Sequence, residues 1–136
     1  MHETKIAIVL LDDLKTWQKL NVTAFLASAI AIEFPQLHGA KLVTADEHAF
    51  LPFLKQPMLI YRADASDQLQ RAFNRARERD LAIGIYTRPL FDTATESDNL
   101  LEIANSNVDQ QDLVGIVVYG DSKKVGKALD GLKLHE

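Results

Sequence analysis

The chain has 136 residues, a formal net charge of −4 and a pI near 5.5, with 47% hydrophobic and 25% charged residues. This length predicts a single domain over residues 1–136 with a conventional core, and the composition excludes disorder and a broadly basic surface that coats nucleic acid. The sequence lacks cysteine and any apolar run long enough to span a membrane, which excludes disulfides and thiolate chemistry and leads us to expect a cytoplasmic protein.

The first predicted elements are a strand and a helix, separated by a charged segment that we call the elbow (residues 12–20). IAIVLL, at residues 6–11, is typical of a central strand covered on both faces. A helix is predicted from its N-cap Asn21 to Phe34, because Pro35 disfavours helical geometry in the preceding residue. A stripe of small residues predicts close packing of this helix, and its members are Ala24, Ala27, Ser28 and Ala31.

The remaining elements continue the alternation of strand and helix. Residues 36–57 have the weakest pattern, with a candidate edge strand in KLVTA and an apolar segment, AFLPFL, that contains a proline. Strands are predicted over residues 58–62, 81–87 and 113–120. Helices are predicted over residues 66–79, after a cap at Thr95 or Ser97, and from about Asp121.

This order of elements predicts an α/β fold. We expect a three-layer α/β/α sandwich around a mixed, mostly parallel four-stranded sheet. In such a sheet the turns that follow parallel strands gather at one edge, which is the usual crevice for ligands.

All six arginines fall between Arg62 and Arg88, and four of them lie on the helix predicted over residues 66–79. Acidic residues nearly balance this charge, and they are Asp64, Asp67, Glu78 and Asp80. We therefore favour a solvated, salt-bridged helix face over an RNA-binding patch.

Several segments resemble the class II peptidyl-tRNA hydrolases. The similar segments are the opening strand, the elbow with Asp13-Leu14-Lys15 and Lys19, MLIYRADASDQLQRAFNRARERDLAIGIYT and VVYGDSKKVGKALDGLKL. WQKLNVTAFLASAIA resembles more closely an uncharacterised bacterial branch of that superfamily, a conserved domain of unknown function. The resemblance implies a mixed four-stranded sheet with helices on both sides.

The catalytic residues of those hydrolases are mostly replaced in this chain. Lys19 matches the first of two elbow lysines, but Asn21 stands at the second, and Phe25 and Ser28 replace a glutamine and a histidine. The Asp-Ala-Gly-Arg-Thr motif of the hydrolases corresponds roughly to residues 88–92. This chain has neither the aspartate nor the arginine at the matching positions. These departures count against peptidyl-tRNA hydrolysis and against tRNA as a partner.

The crevice is nevertheless predicted to hold a site. The expected ligand contacts are Asp13, Lys15, Trp17, Asn21 and Arg88, and the expected catalytic groups are Lys19, Asp92 and Thr93. Asp121 and Ser122 would join them only if the last strand is not antiparallel. No metal or cofactor is expected, because the histidines are scattered and the glycine patterns of phosphate and dinucleotide loops are absent.

Two interpretations of the elbow lysines remain open. Lys15 and Lys19 lie near the predicted start of a helix, where positive charge is unfavourable. Either Asp12 and Asp13 neutralise them, or a bound anion does. Trp17 is interpreted as a packing anchor or as a ring that stacks on a ligand.

Three classes of function follow from these observations. The first is a protein that binds a small anionic or nucleotide-like ligand beside the first helix. The second is a diverged aminoacyl-ester or peptidyl-tRNA hydrolase in which Lys15 or Lys19 stabilises developing negative charge and Asp92 or Thr93 orients water. The third is a non-catalytic homo-oligomeric module that uses AFLPFL as its contact surface.

Overall fold

The computed structural model describes residues 3–136, so the first two positions of the predicted domain lie outside the described residues. Within residues 3–136 the elements are β1 (Thr4–Leu11), α1 (Thr16–Glu33), β2 (Leu42–Val43), β3 (Ala49–Phe50), β4 (Met58–Ala63), α2 (Ser66–Glu78), β5 (Ala82–Thr87), α3 (Glu96–Ala104), β6 (Leu113–Asp121), α4 (Ser122–Ala128) and β7 (Lys133–Leu134). Short 3₁₀ helices occupy Pro35–Leu37, Arg88–Asp92 and Val108–Gln110. No helix in this part of the chain combines the length and apolar character that crossing a membrane requires.

The main sheet has five strands in the order β5-β6-β1-β4-β7, so the prediction of four strands was wrong. The missed strand, β7, has only two residues and pairs antiparallel with β4 at the edge. The prediction of a mostly parallel sheet also needs correction, because β1–β4 is the one parallel pair among the neighbours. KLVTA contributes β2, which pairs with β3 in a separate hairpin.

Strand direction decides which turns meet at the predicted crevice. β6 runs antiparallel to both β1 and β5, so β1, β4 and β5 all point the same way. Their carboxyl ends lie at one edge, followed by the elbow, by Asp64 and by the 3₁₀ helix that starts at Arg88. Asp121 ends β6 and Ser122 follows it, so both lie at the opposite edge. They do not join the crevice.

The core lies between the sheet and the helices on its two faces. Ile6–Leu11 of β1 are all buried, as expected for a central strand that is covered on both sides. α1 packs on one face of the sheet, and α2 packs together with α4 on the other. The inward stripe predicted for α2 is confirmed, since Leu69, Ala72, Phe73 and Ala76 are buried.

The first helix starts earlier than predicted, at Thr16 instead of Asn21. Lys15 is the N-cap, and its backbone N–H donates to Gln18 Oε1 at 2.9 Å. That contact satisfies a backbone donor at the helix start, where intrahelical partners are lacking. Trp17, Lys19 and Asn21 therefore lie inside α1. The sequence obscured this start because lysine is an unusual N-cap residue.

The close packing of α1 depends on Gly115 of the sheet, and of the predicted small-residue stripe Ala27 packs against the core. The buried residues of α1 are Val22, Leu26 and Ile30, whereas Ala24 and Ser28 are exposed. A Cβ atom at Gly115 of β6 would lie 2.6 Å from Val22 Cγ1 and 3.3 Å from Leu26 Cδ1. A Cβ atom at Gly84 of β5 would lie 2.7 Å from Val117 Cγ1 and 3.5 Å from Ala29 Cβ. Gly115 therefore lets α1 approach the sheet, whereas Gly84 leaves room for Val117 of the neighbouring strand.

We predict that Gly115→Ala destabilises the protein by about 1–3 kcal/mol, because the added methyl overpacks the interface with Val22. Urea unfolding followed by circular dichroism measures this change. Gly126→Ala in α4 is the matched control, since a Cβ atom there meets nothing within 4 Å. The control should be neutral or more stable by about 0.5–1 kcal/mol. Equal stability of the two variants would contradict the packing role of Gly115.

Candidate functional site

Helix α1 presents three different sides to its surroundings. Residues four apart lie on the same side of a helix. Val22, Leu26 and Ile30 face the core. Trp17, Asn21 and Phe25 line a cleft next to the 3₁₀ helix Arg88–Asp92, whereas Lys19 and Thr23 line a second cavity. The start of α1 at Thr16 therefore separates Lys19 from Trp17 and Asn21.

The first of these cavities, which we call the aromatic cleft, has a volume of about 340 Å³. It lies between α1, the end of β5, the 3₁₀ helix Arg88–Asp92 and α3. No lining side chain carries a formal charge. The lining residues are Trp17, Asn21, Phe25, Leu26, Ala29, Ile85, Tyr86, Leu90, Phe91, Thr93, Ala94 and Asn99.

Four aromatic rings make consecutive contacts along the cleft. The ring centroids of Trp17 and Phe91 are 5.8 Å apart with the planes at 70°, an edge-to-face arrangement. Phe91 lies 5.1 Å from Tyr86, which lies 6.0 Å from Phe25. Tyr86 is only 7% exposed, whereas Trp17 is 55% exposed. The Trp17 ring therefore retains open surface on which a planar group can pack.

Polar groups are placed among these rings. Burial raises the pKa of the Tyr86 hydroxyl, and a hydrogen bond with Asn21 partly offsets that rise. Thr93 Oγ1 lies 2.9 Å from Leu90 O and also contacts Asn99 Oδ1. The cleft thus combines flat apolar surface with amide and hydroxyl groups, which suits a planar ligand that has hydrogen-bonding edges.

Lys19 belongs to a different cluster, on the β7 side of α1. Its Nζ lies 3.0 Å from Asp12 Oδ1 and 3.0 Å from His135 Nε2. The hydrogen bond from Lys19 lowers the pKa of Asp12 below its ordinary value of 3.8, and the lysine charge adds to this effect. Asp12 therefore neutralises Lys19, as the first interpretation of the elbow expected. The adjoining cavity has a volume of about 480 Å³.

The other residues of the predicted site are dispersed around the crevice. Asp13 and Lys15 are exposed and make no salt bridge within residues 3–136. Arg88 Nε lies 3.4 Å from Asp112 Oδ2. Asp92 lines a depression beside α3, and Thr93 lines both that depression and the aromatic cleft. Only Trp17, Asn21 and Thr93 of the predicted set line the cleft.

Sequence reasoning missed several residues of these two cavities. Phe25, Tyr86, Phe91 and Asn99 line the cleft, and His135 contacts Lys19. With a helix predicted from Thr16, the four-residue spacing of Trp17, Asn21 and Phe25 would have indicated that they lie on one side of it. No local signal links His135 to Lys19, because 116 positions separate them. In the described part of the chain, no group of three or more His, Asp or Glu side chains is arranged to hold a metal ion.

A family model described as "Protein of unknown function (DUF2000)" matches residues 4–136. The chain belongs to this family. A solved structure with a similar fold, a protein of unknown function from Agrobacterium tumefaciens strain C58, has 34% sequence identity to this chain and a TM-score of 0.95. The match covers 100% of both chains. A search of the curated proteins gave no significant match. The prediction that the chain belongs to a family of unknown function is therefore confirmed.

We predict that Asp12→Asn destabilises the protein at pH 6, because it removes the carboxylate that pairs with Lys19. The pKa of Asp12 is lower in the folded state, so its stabilising effect is present above the ordinary value of 3.8 and is lost as the pH falls through the folded pKa. Urea unfolding between pH 3 and pH 6 should show the wild type and this variant converging in acid.

Asp13→Asn is the matched control for that series, since it removes a neighbouring carboxylate that makes no salt bridge within residues 3–136. It should change the free energy of unfolding little at any pH. A pH-independent difference between wild type and Asp12→Asn would contradict the role of the Asp12–Lys19 pair.

Proposed function

We propose that this protein binds a small nucleotide-like ligand whose planar ring lies in the aromatic cleft. One observation carries the proposal: exposed Trp17 and buried Tyr86 flank Phe91, with Asn21, Thr93 and Asn99 in the same cleft. Stacking of a base on an aromatic side chain contributes about 1–3 kcal/mol, and amide groups recognise the polar edges of a base.

The charge of the lining refines the original hypothesis of an anionic ligand. Because no cationic side chain lines the cleft, the ring and not the phosphate of a nucleotide is the group that binds inside it. Lys15 precedes Trp17 by two positions and Arg88 precedes Leu90 by two, so both are the proposed contacts for a phosphate outside the cleft.

Binding without hydrolysis is the function we advance. Hydrolysis of an aminoacyl ester would need Lys19 beside Asp92 or Thr93, yet Lys19 lines a different cavity and is paired with Asp12. A scaffold related to class II peptidyl-tRNA hydrolases remains part of the proposal, supported by the order of elements and the similar segments. A cytoplasmic location also remains part of it, consistent with the lack of cysteine.

The proposal predicts that nucleosides and nucleoside monophosphates change the fluorescence of Trp17, the single tryptophan of the chain. Phe91→Leu removes a ring while keeping an apolar side chain, and it should weaken binding about ten-fold, equivalent to about 1.4 kcal/mol. Phe53→Leu is the matched control, because Phe53 is exposed outside the cleft, and it should leave the affinity unchanged.

Two further binding measurements test which part of the ligand is recognised. Lys15→Gln should weaken binding of a monophosphate but not of the parent nucleoside, and ribose 5-phosphate should bind poorly because it lacks the ring. Absence of any saturable fluorescence change across purine and pyrimidine ligands would contradict the proposal. Turnover of an aminoacyl ester that is lost in Lys19→Ala would favour the hydrolase hypothesis instead.

A further inference from the structure

A cluster of basic side chains lies on the face of the sheet opposite α1. Arg75 lies on α2 and Arg79, four positions later, is the C-cap residue of that helix, while Lys123 and Lys127 are four apart on α4. Each pair lies on one side of its helix. α2 packs against α4, and the two pairs line a groove of about 510 Å³. We call it the basic groove, and its lining is Arg75, Arg79, Lys123, Gly126, Lys127 and Asp130.

The floor of the basic groove is open at Gly126. A Cβ atom at this position would meet no atom within 4 Å. The space between the arginine pair and the lysine pair is therefore not filled by a side chain of α4. A ligand in this space has access to cations from both helices.

The positive charge of the basic groove is only partly neutralised. Lys123 and Lys127 make no salt bridge within residues 3–136, and Asp130 is the single acidic residue of the lining. Arg75 donates to the backbone oxygen of Asp130 at 3.1 Å. Arg79 donates to Arg75 O at 3.0 Å and lies 3.8 Å from Glu78. The lining therefore contains four cationic side chains and one carboxylate, although the chain as a whole has a net charge of −4.

The side chains, and not the end of α4, supply the binding groups of this site. The Asp121 carboxylate accepts from the backbone N–H groups of Lys123 and Lys124 at 3.1 Å each. That contact is the ordinary helix cap that the sequence GDSKK indicated. The amides of this turn are thus already occupied, whereas the lysine side chains remain available.

The composition of the basic groove restricts the chemistry of its ligand. Guanidinium groups bind phosphate oxygens in pairs, and lysines add point charges. The lining contains no aromatic ring to stack a base and no branched apolar residue to hold an acyl chain. Acidic residues also occur close to the basic ones in sequence, and they are Asp67, Glu78, Asp80 and Asp121. A long polyanion that extends beyond the groove would meet this negative charge.

We propose that the basic groove is a binding site for a compact ligand with several adjacent phosphoryl groups, such as an oligophosphate. Arg75 and Arg79 bind its phosphate oxygens from α2, and Lys123 and Lys127 neutralise its charge from α4. This site is independent of the aromatic cleft, because the two share no residue and lie on opposite faces of the sheet.

Isothermal titration calorimetry of the full chain with tripolyphosphate tests this site. We expect saturable binding of one ligand per chain, weaker at higher salt because added ions screen the charges. Lys123→Gln/Lys127→Gln should weaken binding at least about ten-fold, as expected for loss of two charge-assisted contacts. Both lysines are exposed, so this variant should keep its fold, which circular dichroism verifies.

The matched control is Lys41→Gln/Lys55→Gln, which removes the same total charge from two exposed lysines outside the groove. Its affinity for tripolyphosphate should equal that of the wild type. An equal loss in the control and groove variants would overturn the proposal, since overall charge would then explain binding. Absence of tripolyphosphate binding, or binding of duplex RNA alone, would also overturn it.

Discussion

The close approach of α1 to the sheet is the constraint on which the candidate site depends. Gly115 leaves room for the helix at a point where a Cβ atom would lie 2.6 Å from Val22 Cγ1. That approach buries Val22 and Leu26, and the rotation it imposes turns Trp17 toward the aromatic cleft and Lys19 away from it. The side of α1 that faces the cleft therefore depends on the absence of a side chain at Gly115.

The charged elbow has a structural explanation once the true start of α1 is known. Lys19 lies in the second turn of the helix and is held by Asp12, which follows β1, and by His135, which follows β7. The cluster connects α1 to the edge strand of the sheet. In this family member, Lys19 thus serves to join three elements.

Charge and aromatic surface are separated on this molecule. The aromatic cleft has no charged lining residue, whereas the basic groove has four cations and no aromatic residue. α1 and the end of β5 build the first, and α2 with α4 build the second. The sheet between them keeps the two environments apart, so each favours a different ligand.

The sequence by itself determined the central strands and the inward stripe of α2 and narrowed the cap of α3 to Thr95 or Ser97, because local periodicity and capping chemistry encode them. It did not determine the start of α1, the two-residue strand β7 or the direction of β6, since lysine is a poor N-cap signal and strand pairing is not local. Only the tertiary structure brought Trp17 to Phe91, Lys19 to His135 and Arg75 near Lys127. Contacts between residues distant in sequence arise from packing, which no short segment specifies.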